Sequence, residues 1–130
     1  MMAPKKKQQF VEYRLEPTSG APQFAKPSQH RLMLQDFYRT LSFRNALLNA
    51  IKPGMTVLEI GTGTGILSHF AIEAGASHVF TMEASDFAGT ARAILAHNGL
   101  AERVTVLEGY SFDLALPRRA DLLVTEILGH

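Results

Sequence analysis

Apolar residues in the second half of the chain form short continuous runs separated by stripes of helical spacing. Because each run is short and apolar on both faces, the runs predict four buried strands. They lie at residues 56–60, 78–83, 104–107 and 121–126. Helical stripes at 66–74 and 85–98, the second with Ser85 as its N-cap and Asn98-Gly99 at its end, separate the first three runs. This alternation indicates an α/β fold, with a parallel sheet and right-handed crossovers.

The first half of the chain follows a different pattern. Residues 1–27 predict a solvated tail and a Pro/Gly-rich loop, with a short strand at 10–15. Residues 28–51 predict one kinked helix or two short ones, beginning at Ser28 and ending before Lys52-Pro53-Gly54. We therefore divide the chain into a tail, residues 1–27, and a domain, residues 28–130.

Composition narrows the function classes. The 130 residues fit one domain, and 13 Lys+Arg against 12 Asp+Glu leave a net charge of +1 without a basic footprint for nucleic acid. Cysteine is absent, which excludes disulfides, thiolate metal sites and a cysteine nucleophile. His69, His78 and His97 show no metal-ligand spacing, so we expect no metal. No apolar run approaches the roughly 20 residues of a membrane span, and we expect no membrane partner.

A glycine cluster between the first strand and its helix is the strongest local signal. Gly61, Gly63 and Gly65 stand where α/β sheets bind ligands, but they do not match the dinucleotide spacing G-x-G-x-x-G. Glu59 precedes them; a carboxylate there would repel a pyrophosphate, yet it suits a ligand with an ammonium group. Glu83 ends the second strand, where a carboxylate accepts ribose hydroxyls. Taken separately, the glycines are compatible with a tight turn that binds no ligand, and Glu83 with a surface carboxylate at the end of a strand. Jointly they favour S-adenosylmethionine over a nicotinamide cofactor.

Three stretches of the chain carry a family resemblance. Residues 57–68 resemble the first motif of class I S-adenosylmethionine-dependent methyltransferases, and the Gly-Thr-Gly-Ile-Leu-Ser ending at 63–68 resembles protein arginine methyltransferases. Residues 30–44 resemble that family's N-terminal helix, which lies over the cofactor, and 120–129 resemble the strand that leads into its double-glutamate loop. The resemblance covers about residues 28–130. It implies the first half of a Rossmann-like sheet, with strand order 3-2-1-4.

The resemblance also implies roles for individual residues. Arg39 would pair with the carboxylate of S-adenosylmethionine, and Met33 would lie near the transferred methyl; by themselves they fit a solvated cation and a core methionine. Glu126 would be the catalytic residue that holds the acceptor guanidinium. The other implied cofactor contacts surround the glycine cluster and the ends of the second and third strands. They are Glu59, Gly61, Thr62, Gly63, Gly65, Ile66, Leu67, Glu83, Ala84, Gly109, Tyr110 and Ser111.

The sequence departs from the arginine methyltransferase pattern in three places. It has no residues for the family's second glutamate, and it contains no tryptophan for the threonine-histidine-tryptophan loop. The family also usually has an adenine-binding glutamate close to the position of Phe112, and here Asp113 would replace it. We therefore expect an N-terminal portion of a longer protein. In it, the fourth strand would be an exposed apolar edge that invites a homo-oligomer, with Leu122, Val124 and Ile127 lacking the helices that normally cover them.

The predicted function is methyl transfer from S-adenosylmethionine to a protein arginine, in the cytoplasm. Two alternatives remain open. One is a methyltransferase for another acceptor, such as a ribosomal protein, an RNA or a small molecule. The other is a non-catalytic module that binds S-adenosylmethionine and pairs with a partner chain.

Overall fold

A computed structural model describes residues 37–125, which form a four-stranded parallel sheet and three helices. In chain order, the elements are α1 (Phe37–Ala50), β1 (Thr56–Ile60), α2 (Ile66–Glu73), β2 (His78–Glu83), α3 (Phe87–His97), β3 (Val104–Glu108) and β4 (Leu122–Thr125). The strand order is β3-β2-β1-β4, and every neighbouring pair is parallel. The predicted fold class and strand order are thus confirmed.

Several predictions fall outside the described residues. These are the strand at 10–15, the loop that follows it, the helix start at Ser28, and the site residues Met33 and Glu126. Within the predicted helical region 28–51, the structure describes α1, which is continuous from Phe37 to Ala50.

The two faces of the sheet have different surroundings. Both crossovers from β1 to β2 and from β2 to β3 step in the same direction, so right-handed connections place α2 and α3 on one face. The main hydrophobic core lies there, and it includes Val57, Val79 and Val124. On the opposite face, the Arg118 guanidinium lies 5.5 Å from the centre of the Phe80 ring. The segment between β3 and β4 therefore contributes to this second face.

The predicted lack of cover on β4 is wrong for Val124. This side chain is 9% exposed and belongs to the core, and Leu122 packs against the same core. The register explains why: Leu122 pairs with Val57 and Val124 with Glu59, so both point to the helical face. Leu123, between them, points to the other face and is 56% exposed. Ile127 lies outside the described residues.

The ends of α3 partly follow the prediction. The N-cap residue is Asp86, not Ser85, and its side chain makes no capping hydrogen bond. The Ser85 hydroxyl still accepts a hydrogen bond from the Phe87 amide at 3.2 Å. At the other end, Gly99 adopts φ +75°, and the Leu100 amide donates to the Leu95 carbonyl at 2.9 Å. This left-handed glycine end confirms the predicted stop of the helix.

An ion pair and apolar contacts attach α1 to α2. Arg44 on α1 binds both carboxylate oxygens of Glu73 on α2, with Nε donating to Oε2 at 3.3 Å and Nη2 donating to Oε1. Arg44 is 3% exposed. Leu47 and Ile51, which follow Arg44 in the sequence, are buried in the main core. The position of the helix that carries Arg39 therefore depends on both apolar burial and a buried charge pair.

Candidate cofactor site

The glycine loop is tied to the end of β2 through its backbone. The amides of Gly61 and Thr62 both donate to the carbonyl of Met82, at 2.8 and 3.2 Å. Gly61, Gly63 and Gly65 have φ values of +87°, +51° and +84°, which side chains with a Cβ rarely adopt. The loop therefore favours glycine at these three positions, and at Gly61 and Gly63 its backbone is accessible at the carboxyl edge of the sheet.

Glu83 connects the glycine loop to the turn after β2. Its Oε1 accepts a hydrogen bond from the Gly63 amide at 2.9 Å, and its Oε2 accepts from the amide and hydroxyl of Ser85 at 3.2 and 2.9 Å. The side chain is half-buried. These contacts fix the carboxylate at the end of β2 with part of its surface open to solvent. The predicted acidic group and the predicted glycine loop thus form one site.

The segment after β3 joins the same edge. The Gly109 amide donates to the Glu83 carbonyl at 2.8 Å, which places the start of this segment beside β2. Gly109 has φ +138°, and a Cβ there would lie 3.2 Å from the Leu114 side chain. Tyr110 and Phe112 stack with their ring centres 5.3 Å apart and are 58% and 82% exposed. Open aromatic faces near Glu83 offer a surface on which a nucleobase can stack.

Glu59 lies inside the protein. It is 2% exposed, and its Oε1 accepts hydrogen bonds from the hydroxyls of Ser68 at 2.7 Å and Thr81 at 2.8 Å. Thr81 also exchanges a hydrogen bond of 2.6 Å with Thr62 in the glycine loop. This carboxylate is therefore part of the support of the loop. Its predicted contact with the ammonium group of a ligand stays a prediction.

The remaining predicted residues lie on α1, in the first turn of α2 and in the turns after β2 and β3. Arg39 lies on α1 and is half-buried; Ile66 and Leu67 form the first turn of α2, where Leu67 packs into the core. Ala84 is exposed after β2, and Ser111 is half-buried after β3. Their contacts with a cofactor stay predictions.

Sequence reasoning missed two residues of the site, Thr81 and Ser85. Thr81 is a polar residue inside an apolar strand, and its register partner on β1 is Glu59. The isolated threonine was a usable signal, because a buried hydroxyl needs a hydrogen-bond partner. Ser85 was considered only as a helix cap, although a serine two residues after Glu83 is within reach of that carboxylate.

Among residues 37–125, no group of three or more His, Cys, Asp or Glu side chains is placed to hold a metal ion. None of the helices in this range combines the length and apolar character that crossing a bilayer requires.

Known methyltransferases resemble most of this chain. Residues 40–130 match the family model described as ribosomal protein L11 methyltransferase (PrmA). The chain belongs to the PrmA methyltransferase family. Similar curated proteins carry a different description, histone-arginine methyltransferase. The protein CARMER of Anopheles gambiae is 38% identical over 105 residues, which cover 79% of this chain and 17% of CARMER. The probable histone-arginine methyltransferase 1.3 of Arabidopsis thaliana is 44% identical over 100 residues, covering 75% and 19% of the two chains.

Solved structures agree with this assignment. A Trypanosoma brucei PRMT1 enzyme-prozyme complex with AdoHcy superposes with a TM-score of 0.72 at 36% identity, covering 75% of this chain and 32% of that one. The Arabidopsis thaliana protein arginine methyltransferase 10 gives a TM-score of 0.71 at 36% identity, covering 79% and 30%. This PrmA family member is therefore a class I methyltransferase that resembles the N-terminal region of arginine methyltransferases, as predicted. It spans about a fifth of the length of the curated relatives, 17% and 19%.

Proposed function

We propose that this chain binds S-adenosylmethionine and belongs to an enzyme that methylates arginine side chains of proteins. The observation that carries the proposal is the carboxylate of Glu83, held 2.9 Å from the Gly63 amide at the carboxyl end of β2. A carboxylate at this position accepts ribose hydroxyls, and the glycines at 61, 63 and 65 lack the G-x-G-x-x-G spacing of a dinucleotide site, so the pair suits S-adenosylmethionine. Two kinds of relatives support the choice: the histone-arginine methyltransferases, and arginine methyltransferases solved with AdoHcy or SAH.

The described residues fit the chemical parts of this cofactor. Each carboxylate oxygen offers two acceptor positions, and Glu83 Oε1 accepts one hydrogen bond from the described residues. A ribose diol would take the second position on Oε1 and replace the Ser85 hydroxyl on Oε2. The glycines of the loop allow close approach, and Tyr110 would stack on the adenine. Arg39 would bind the carboxylate of the methionine part.

Methyl transfer makes modest chemical demands on the protein. The bound cofactor supplies an electrophilic methyl group on a sulfonium, so the protein contributes mainly proximity and orientation. Glu126 follows β4 directly in the sequence, and a carboxylate there would hold the acceptor guanidinium by paired hydrogen bonds. It would orient one guanidinium nitrogen toward the methyl carbon. Met33 would line the path to that methyl.

A ribosomal protein is the second candidate acceptor. The matching family model is named for the methyltransferase of ribosomal protein L11, and it covers residues 40–130. The features in residues 37–125 on which the proposal rests belong to the cofactor side, so they support either acceptor. The relatives named as arginine methyltransferases make arginine the first choice.

Assembly and location complete the proposal. The Trypanosoma brucei relative was solved as a heterotetrameric enzyme-prozyme complex. Among the described residues, β4 pairs with β1 alone, and Leu123 is exposed beside that edge. We therefore propose that this edge contributes to an assembly of copies. The cytoplasmic location stays a prediction, which imaging of the tagged protein tests.

A methyl-transfer assay tests the acceptor. The 130-residue chain, and any longer protein that contains it, is incubated with methyl-labelled S-adenosylmethionine and either arginine-rich histone peptides or ribosomal protein L11. We expect labelled arginine, and loss of labelling in Glu126→Gln with binding of S-adenosylhomocysteine retained. Labelling of L11 alone would favour the second candidate. Labelling of arginine that persists in Glu126→Gln would remove Glu126 from its proposed role.

A further inference from the structure

Four buried polar side chains connect β1, β2 and α2 to the glycine loop. They are Glu59, Thr62, Ser68 and Thr81, and each is at most 3% exposed. Glu59 accepts hydrogen bonds from Ser68 and Thr81, and Thr81 in turn shares a hydrogen bond with Thr62. Only Thr62 lies in the loop itself. A side-chain link from the carboxylate to Thr62 in the loop therefore passes through the hydroxyl of Thr81.

The chemistry of hydroxyls gives this link a direction. Thr81 donates its one proton to Glu59 Oε1 at 2.8 Å, so its oxygen can only accept in the 2.6 Å contact with Thr62. Thr62 is therefore the donor to Thr81, and both hydroxyls point their hydrogens in the direction of the buried carboxylate. Hydrogen bonds aligned in this way polarise and strengthen one another. The carboxylate of Glu59, as the final acceptor of these hydrogen bonds, thus orients the Thr62 hydroxyl in the loop.

The same threonine of the loop is also held through its backbone. The Thr62 amide donates to the Met82 carbonyl at 3.2 Å, and the Thr62 carbonyl accepts from the Gly65 amide at 2.9 Å. Thr62 is thus the point at which backbone and side-chain contacts fix the loop against β2. Glu83, which faces the proposed ribose position, is two residues beyond Thr81 on the same face of this strand.

We propose that Thr81 is a positioning residue: through Thr62, its hydroxyl holds the glycine loop in the conformation that receives the cofactor. The inference rests on the proposed binding of S-adenosylmethionine. The hydroxyl, rather than the volume of the side chain, performs this role. Replacement of Thr81 by valine preserves the shape and removes its hydrogen bonds to Thr62 and Glu59, whereas replacement by serine preserves both.

The experiment compares four variants of the chain. Thr81→Val removes the link, Thr81→Ser retains it, and Thr62→Val removes the same bond from the loop side. Thr90→Val is the matched control, since Thr90 on α3 is also 3% exposed and its hydroxyl has no hydrogen-bond partner in the described part of the chain. Circular dichroism verifies folding. Calorimetry then gives the affinity for S-adenosylhomocysteine, and amide hydrogen exchange of Gly61 and Thr62 is measured without ligand.

We expect Thr81→Val and Thr62→Val to bind S-adenosylhomocysteine roughly three- to tenfold more weakly and to exchange the two amides faster. Thr81→Ser should restore both values, and Thr90→Val should change neither. Folded Thr81→Val with wild-type affinity and exchange would overturn the proposal. So would failure of both Thr81→Val and Thr62→Val to fold while Thr90→Val folds, because the bond would then serve the sheet rather than the loop.

A wild-type chain that is folded but does not bind S-adenosylhomocysteine would contradict the proposed function instead. The exchange measurement still judges the role of Thr81 in that case. Faster exchange in Thr81→Val, with none in Thr90→Val, supports the hold on the loop. Equal exchange in the two variants refutes it.

Discussion

Two carboxylates at the glycine loop have different surroundings. Glu59 is 2% exposed and accepts hydrogen bonds from buried hydroxyls, whereas Glu83 is half-buried and accepts from the loop amide of Gly63. A buried carboxylate requires its hydrogen bonds for stability. A half-buried one retains access to a ligand. The acidic residue at the end of β2 is therefore the better candidate for ribose binding, and the one within β1 supports the loop.

Histidine burial predicts a pH-dependent stability. His69 on α2 has its pKa lowered from 6.5 by burial, while the carboxylate of Glu73 raises this pKa and the guanidinium of Arg44 lowers it. The native state therefore binds fewer protons at this site than the unfolded state. The free energy of unfolding should fall as the pH drops from about 6.5 through the lowered native pKa, and this site should add no slope at higher pH.

Urea unfolding above and below pH 6.5 measures this effect. His69→Gln should flatten the acid-side slope. The pKa of His78 is lowered as well, by burial and by the cations Arg118 and Arg103. The acid-side slope of His78→Gln is therefore compared with that of His69→Gln. An unchanged slope in His69→Gln would show that another group causes the loss of stability.

At the scale of elements, the contact between α1 and α2 determines where the helix carrying Arg39 lies. Arg44 and Glu73 form the ion pair across this contact, with side chains 4% and 22% exposed. Arg44 is buried while Glu73 is partly exposed, so removal of Glu73 would leave the buried guanidinium poorly solvated. The exposed pair Arg92–Glu108, with side chains 49% and 57% exposed and 3.5 Å between its charged atoms, has no such constraint.

A double-mutant cycle quantifies this difference. For Arg44→Met and Glu73→Gln we expect a coupling free energy of about 1–3 kcal/mol in urea unfolding. For Arg92→Met and Glu108→Gln the expected coupling is about 0–1 kcal/mol. Equal couplings for the two pairs would mean that apolar packing alone docks α1.

The elements differ in how far the sequence alone predicts them. The strands β1, β2 and β3 were predictable because apolar runs ended at turn residues, and α3 because Gly99 marked its end. The cover of Val124 was not predictable in the same way, since the face of an edge strand depends on its register with β1. The role of Thr81 depends on register too, because only the pairing with Glu59 brings its hydroxyl to the carboxylate.

At the scale of the whole molecule, the described residues hold the cofactor side of a methyltransferase. The glycine loop, Glu83 and Gly109 meet at the carboxyl edge of the sheet, joined by backbone and side-chain hydrogen bonds. The curated relatives extend well beyond the matched region, because this chain covers 17% to 20% of their length. Binding of the cofactor is therefore the part of the proposed function to test first on this chain.

Calorimetric titration of the folded 130-residue chain with S-adenosylhomocysteine tests that property most directly. The account predicts saturable binding that Glu83→Gln weakens by about tenfold or more, since hydrogen bonds to a charged group are the stronger kind. Glu102→Gln, a change of an exposed acid before β3, should leave the affinity unchanged. A folded chain that gives no binding heat, or a Glu83→Gln variant that binds like wild type, would contradict the account.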